Sequence, residues 1–179
     1  MKIEKLPLAG AMLLRGAPAI DERGSFERIV SLSFLESDGL ETSYPEISLS
    51  ENEIAGTRRG MHFQRAPHDE TKIVRCVRGG IYDVIIDIRR ESKTFGKAYG
   101  IELKAGDHQS LYIPRGFAHG FQTLEDKSTV LYFISKPFAP DHAAGLSSDD
   151  PALAIAWPAP PSQISCRDRN LPAFKDAGF

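Results

Sequence analysis

The sequence predicts an all-β fold, a sandwich or barrel of antiparallel strands with short helices and an irregular C-terminal tail. Three observations carry this reading. Between Tyr44 and Lys136, short runs alternate apolar and polar residues, the period of strands that bury one face. Glycine and aspartate turns interrupt the runs at a spacing of roughly ten residues, which suits a sandwich or barrel. Helical periodicity is confined to one short segment.

That segment comes first. Ser31 to Gly39 has a serine suited to cap its start and a glycine suited to end it. Strands are then predicted over Tyr44–Ser50, Thr57–Phe63, Lys72–Arg78, Gly80–Arg89, Tyr99–Leu103, His108–Ile113, Gly116–Thr123 and Ser128–Lys136. Gly79-Gly80, Lys104-Ala105-Gly106-Asp107 and Glu125-Asp126-Lys127 supply hairpin turns, because glycine accepts positive φ and aspartate bonds its own backbone. From Pro137 the texture changes. Prolines at 137, 140, 151, 158, 160, 161 and 172 oppose regular sheet, so a tail is predicted to wrap the barrel, with one helical turn near Pro151 to Ile155. Residues 1–179 fit one domain.

Composition narrows the function classes. A formal charge of -2 leaves no basic excess to neutralise a nucleic-acid backbone. No apolar run approaches the roughly 20 residues that span a bilayer, and the N-terminus lacks a secretory leader, so no membrane partner and a cytoplasmic location are expected. Cys76 and Cys166 stand far apart without a CxxC pair, which predicts free, buried thiols.

The densest chemistry lies in Gly56-Thr-Arg-Arg-Gly-Met-His62-Phe-Gln64, followed by Glu70-Thr-Lys72. On a regular strand, Arg59 and His62 point to opposite faces. A bulge at Gly60 would re-aim one of them. A second dense segment, Ile113-Pro-Arg-Gly116-Phe-Ala-His119-Gly-Phe121, places a turn just ahead of His119. Together the two segments resemble the paired motifs of the cupin superfamily, which implies a jelly-roll β-barrel. The metal-binding form has histidines at both ends of HxH, whereas Gln64 stands at the second position here. Only His62, Glu70 and His119 remain as ligands, and first-row metals prefer imidazole to a neutral amide, so no metal is expected.

Over nearly the whole chain the sequence resembles the dTDP-4-dehydrorhamnose 3,5-epimerase family. The matching segments include Asp21-Glu-Arg23-Gly-Ser-Phe26-Glu27, Arg59-Gly-Met-His62-Phe-Gln64, Glu70-Thr-Lys72, Asp83-Val-Ile-Ile-Asp87-Ile-Arg89, Ser92-Lys-Thr94, Pro114-Arg-Gly116-Phe-Ala-His119-Gly120-Phe121, Tyr132 and Ser165-Cys-Arg-Asp168. The resemblance implies an isomerase that epimerises C3, C5 or both of a nucleotide-linked 4-keto-6-deoxyhexose, without cofactor and as a homodimer. By motif position it implies His62 as base, Asp168 as its orienting partner, Tyr132 as opposing acid and Lys72 beside the keto oxygen. It further implies Arg23, Phe26, Glu27, Ser48, Arg59 and His119 as substrate-binding residues, the arginines contacting the diphosphate.

The residue types suit that chemistry. A proton beside a carbonyl is removable when the developing enolate oxygen is stabilised, as an ammonium does. Imidazole titrates near neutral pH, and a carboxylate partner fixes its tautomer. Inversion needs a donor on the opposite face, which a phenol supplies. Two positions depart from relatives: Glu46 replaces a common glutamine, and Ser48 stands where the best-known rhamnose-pathway form has asparagine. Rival readings are a 3,4-ketoisomerase or mono-epimerase on a related CDP- or GDP-sugar, a non-catalytic sugar-nucleotide binder, and a metal-dependent cupin oxygenase. The remaining histidines, His68, His108 and His142, are expected to be exposed.

Overall fold

A computed structural model describes residues 1–179. Two six-stranded sheets pack face to face. The first runs in spatial order β1 (Lys2–Lys5), β2 (Met12–Arg15), β10 (Gln109–Ile113), β7 (Lys72–Arg78), β12 (Ser128–Ile134) and β5 (Glu46–Asn52). The second runs β13 (Ala143–Gly145), β6 (Thr57–Gln64), β11 (Phe117–Thr123), β8 (Gly80–Asp87) and β9 (Ala98–Lys104), with β14 (Gln163–Ile164) parallel to β6. A separate hairpin pairs β3 (Ala19–Asp21) with β4 (Gly24–Phe26). No helix is long and apolar enough to cross a membrane.

Alternation along the strands sorts side chains into three apolar layers. Inward residues of both sheets, among them Leu13, Val74, Ile81, Ile85, Leu111, Phe121 and Val130, form the central core. Val84, Ile86 and Ala118 point outward and are covered by Leu146, Leu153 and Ala177 of the C-terminal tail. On the outer face of the first sheet, Leu14, Ile73 and Tyr112 are covered by Leu35 of the helix α1 (Leu32–Ser37). β5 forms the open edge of that sheet, and its outward Ile47 and Leu49 stay exposed.

The eight predicted strands are present, with ends within two residues of expectation. The turns form as expected at Gly79 and Gly106, both with positive φ. Ser31 holds the cap position of α1, but its hydroxyl bonds Ser33 instead of a backbone N–H. The predicted helical turn is a 3-10 turn at Pro151–Leu153, capped by the Asp150 carboxylate accepting from Ala152 N–H.

Several expectations need correction. Six short strands, β1 to β4 and the tail's β13 and β14, were not predicted. Their pairing is set by neighbours far away in sequence, as when Ala143–Gly145 lines up on His62–Gln64. Cys76 is buried, but Cys166 is exposed at the start of a helix, α2 (Cys166–Arg169). The three remaining histidines are partly buried: His108 bonds Glu27, and His68 stacks on His142 at 4.4 Å.

Candidate active site

The site begins with a displaced residue on β6. His62 pairs with His119 of β11, but Arg59 pairs with Phe121, so β6 carries one extra residue between them. The bulge sits at Gly60, whose φ is +109° and whose added Cβ would lie 2.6 Å from Gly120 Cα. A side chain is therefore excluded. Arg59 and His62 consequently line one cleft, while Met61 and Phe63 turn into the outer apolar layer and Arg58 bonds Asp149 of the tail.

The cleft opens between the sheets in two connected lobes of about 300 and 250 Å³. The first is lined by Ser48, Arg59, His62, Lys72, His119 and Tyr132 among others. The second shares Ser48, His62 and Lys72, and adds Glu46, Glu70, Lys136, Phe138 and Arg167. His62 and His119 belong to the second sheet; Ser48, Lys72 and Tyr132 belong to the first. An imidazole and a phenol thus line opposite walls.

On the first wall, His62 Nε2 lies 2.8 Å from Asp168 Oδ1. Asp168 sits in the first turn of α2, where Ser165 Oγ accepts its backbone N–H at 3.0 Å and caps the helix. Its Oδ2 accepts the Gly60 N–H at 3.1 Å. Burial raises this carboxyl's pKa, but the bonds from His62 and Gly60 outweigh it and hold Asp168 below its ordinary value. The ionised carboxylate then fixes a proton on Nε2 and leaves Nδ1 as the basic nitrogen.

On the facing wall, Lys72 Nζ lies 2.8 Å from Glu70 Oε1, both largely buried. Burial first, then the charge of Asp83, push the Tyr132 phenol up against the opposing effect of Arg59, so it stays protonated and able to donate. His119 Nε2 lies 2.6 Å from the buried Asp83, and its ring meets Tyr132 edge-on at 5.9 Å. Arg59 Nε donates to Asn52 Oδ1 at 2.7 Å, a bond that anchors the guanidinium and leaves its terminal nitrogens without a protein partner.

Of the residues the sequence singled out, His62, Asp168, Lys72, Tyr132, Ser48, Arg59 and His119 come together. Arg23 and Phe26 do not: they stand exposed on the β3–β4 hairpin, Phe26 at 75%. Glu27 lies outside the cleft, gripped by Arg75 at 2.6 Å and His108 at 2.6 Å. Sequence reasoning missed Asp83 and Asn52 as supports and Phe138, Lys136 and Arg167 as lining. Asp83 carried a signal, being a charged residue amid the apolar run of β8.

The possible metal ligands are engaged elsewhere. His62 bonds Asp168, Glu70 forms an ion pair with Lys72 and His119 bonds Asp83. Gln64 brackets two loops, donating to the carbonyls of His68 and Pro137 and accepting from Ala139 N–H. No three His, Cys, Asp or Glu side chains converge.

Comparison with known proteins adds the lineage of this arrangement. The family model described as dTDP-4-dehydrorhamnose 3,5-epimerase matches residues 5–176. The dTDP-4-dehydrorhamnose 3,5-epimerase of Mycobacterium tuberculosis is 36% identical over 181 residues, covering 98% of this chain and 89% of that protein. Among solved structures, the dTDP-4-dehydrorhamnose 3,5-epimerase of Elizabethkingia anophelis superposes with a TM-score of 0.95 at 35% identity, covering 100% and 99% of the two chains. ChmJ, a 3'-monoepimerase from Streptomyces bikiniensis in complex with dTDP-quinovose, gives 0.87 at 29% identity, covering 95% of this chain and 86% of that one.

Proposed function

The chain belongs to the dTDP-4-dehydrorhamnose 3,5-epimerase family and is an epimerase, and on that premise we propose that it acts on a dTDP-linked 4-keto-6-deoxyhexose. One observation carries the reading: the His62–Asp168 pair lines one wall of a cleft whose other wall offers Tyr132 and Lys72. In this scheme His62 removes the proton beside the C4 ketone. The Lys72 ammonium meets the negative charge that grows on the keto oxygen. Tyr132 returns a proton from the opposite face, which inverts the carbon. Arg59, with free terminal nitrogens, suits the diphosphate, and Ser48 and His119 contact the sugar.

A homodimer is part of the same proposal. The exposed hairpin carrying Arg23 and Phe26 packs on no cleft of its own chain, and the unpaired edge β5 lies beside the cleft with Ile47 and Leu49 exposed. Exposed sheet edges of this kind invite a partner strand. In a two-fold dimer the hairpin would lie along β5 of the other copy and bring Arg23 and Phe26 to its cleft, while Glu27 fixes the hairpin's root through Arg75. A charged sugar nucleotide as substrate fits a cytoplasmic setting.

The test is proton NMR of dTDP-4-keto-6-deoxyglucose with the purified protein in deuterium oxide. Deuterium wash-in and inversion at C3 and C5 are expected. The likeness to a 3'-monoepimerase favours a second reading, in which only C3 changes. No change at either carbon would sink the dTDP-sugar assignment and send the test to CDP- and GDP-linked substrates.

A further inference from the structure

Every buried carboxylate in this protein can be asked what it serves. Asp168 and Asp87 each serve backbone N–H groups as well as side chains, and so hold loops together. Glu70 differs. Its Oε1 meets Lys72 Nζ at 2.8 Å, and its Oε2 is buried with no partner at all. It caps no helix and anchors no backbone group. A desolvated carboxylate with one partner is costly unless that partner is an ion held close, so its place in the fold depends on the lysine.

The local backbone is built to set that pair. Glu70 stands two residues ahead of Lys72, the first residue of β7, and both side chains line the same lobe of the cleft. Thr71 between them is clamped to the facing residue of the chain after β12: its N–H donates to Ser135 Oγ at 2.8 Å and its carbonyl accepts the Ser135 N–H at 3.0 Å. A lysine has four rotatable bonds and wanders unless something fixes its tip. Here the Nζ is tethered by a carboxylate next to the pinned Thr71, with side-chain exposures of 12% for Lys72 and 6% for Glu70.

We propose that Glu70 is the positioning residue of the oxyanion site: it acts through Lys72, holding the ammonium where the substrate's keto oxygen becomes negative, without touching substrate itself. The inference rests on the reading of Lys72 given above. The ammonium is held by charge against Glu70 at 2.8 Å, and its N–H groups remain to meet the oxygen that gains charge. Preorganisation of this kind acts on the transition state more than on binding, because the keto oxygen is neutral in the bound substrate.

The test combines Glu70→Gln, Lys72→Met and the double variant, each followed by NMR deuterium wash-in and by separate kcat and KM values. Glu70→Gln is expected to lower kcat about 10- to 100-fold, the scale of a misplaced catalytic group, with KM within about threefold. In the Lys72→Met background the same change should alter the residual rate less than about twofold, because nothing is left to position. Thermal unfolding checks that each variant folds, and Glu70→Asp repeats the cycle if the glutamine does not. A kcat for Glu70→Gln within about twofold of wild type, or an equal loss with and without Lys72, would overturn the proposal. Failure of the underlying reading looks different: wild type would exchange no deuterium, or Lys72→Met alone would be fully active.

Discussion

His62 and Asp168 lie 106 residues apart in sequence and 2.8 Å apart in space, joined through Nε2 and Oδ1. The carboxylate holds a tautomer as well as a position. Asparagine at 168 can still accept the Gly60 N–H, but its amide can donate to Nε2 and reverse the proton arrangement on the ring. Asp168→Asn is therefore expected to stay folded and to lose about 10²–10⁴-fold in kcat, as read by steady-state epimerisation. An unchanged kcat would remove Asp168 from the mechanism.

The bulge that aims His62 rests on one hydrogen atom. A methyl at residue 60 would sit 2.6 Å from Gly120 Cα and 2.7 Å from the His119 carbonyl, with backbone at φ +109°. Both strands must move to admit it. Gly60→Ala is expected to destabilise by about 2–4 kcal/mol and to abolish most activity, because Arg59 and His62 no longer share a face. Urea unfolding and the NMR assay read the two effects separately.

Adjacent arginines should fail in different ways. Arg58 is buried, stacks on Trp157 at 4.4 Å, bonds Asp149 at 2.6 Å and so fastens the tail to β6. Arg59 points into the cleft and is fixed only by Asn52. Arg58→Ala is expected to cost about 1–3 kcal/mol of stability. Arg59→Ala should leave stability near wild type and raise KM roughly 10- to 100-fold, the loss of a charged contact to phosphate. Equal effects at both positions would contradict the bulge as the device that puts Arg59, and not Arg58, on the face of His62.

Asp87 gives an acid dependence. Burial raises its pKa, but hydrogen bonds from Arg89, Ser92 and Thr94 outweigh that and bring the carboxyl from 3.8 to about 2. A group whose pKa falls on folding stabilises above its unfolded value, and this stability is lost as pH drops through the folded one. Asp87→Asn should therefore cost about 1–2 kcal/mol at pH 7, with the difference from wild type closing between about pH 4 and pH 2. Chemical unfolding across that range measures it.

Much of this site was legible because local pattern and chemistry agreed. The strand of His62, the turn before His119 and the glycine that breaks alternation can all be read from residue type and spacing. The aim of Arg59 could only be posed as a question, since a bulge is settled by the neighbouring strand, here Gly120 against Gly60. The two-residue spacing of Glu70 and Lys72 is plain in the sequence, but their pairing is fixed by the Ser135 clamp on Thr71. β13 and β14 were opaque, because Ala-Ala-Gly and Gln-Ile carry no strand preference strong enough to announce themselves without β6 beside them. Arg23 and Phe26, singled out by motif, stand exposed on a hairpin away from the cleft of their own chain.

The last expectation follows from those two residues. If the hairpin completes the cleft of a second copy, light scattering finds a dimer, and two inactive variants can repair each other. One variant carries His62→Ala. The other carries Arg23→Ala with Phe26→Ala in the hairpin. After subunit exchange at equal concentrations, half the dimers are mixed, and in each mixed dimer one cleft joins an intact His62 to an intact hairpin. Activity should return to about a quarter of wild type. If each hairpin served its own chain, every cleft would contain one of the two defects, and mixing would restore nothing.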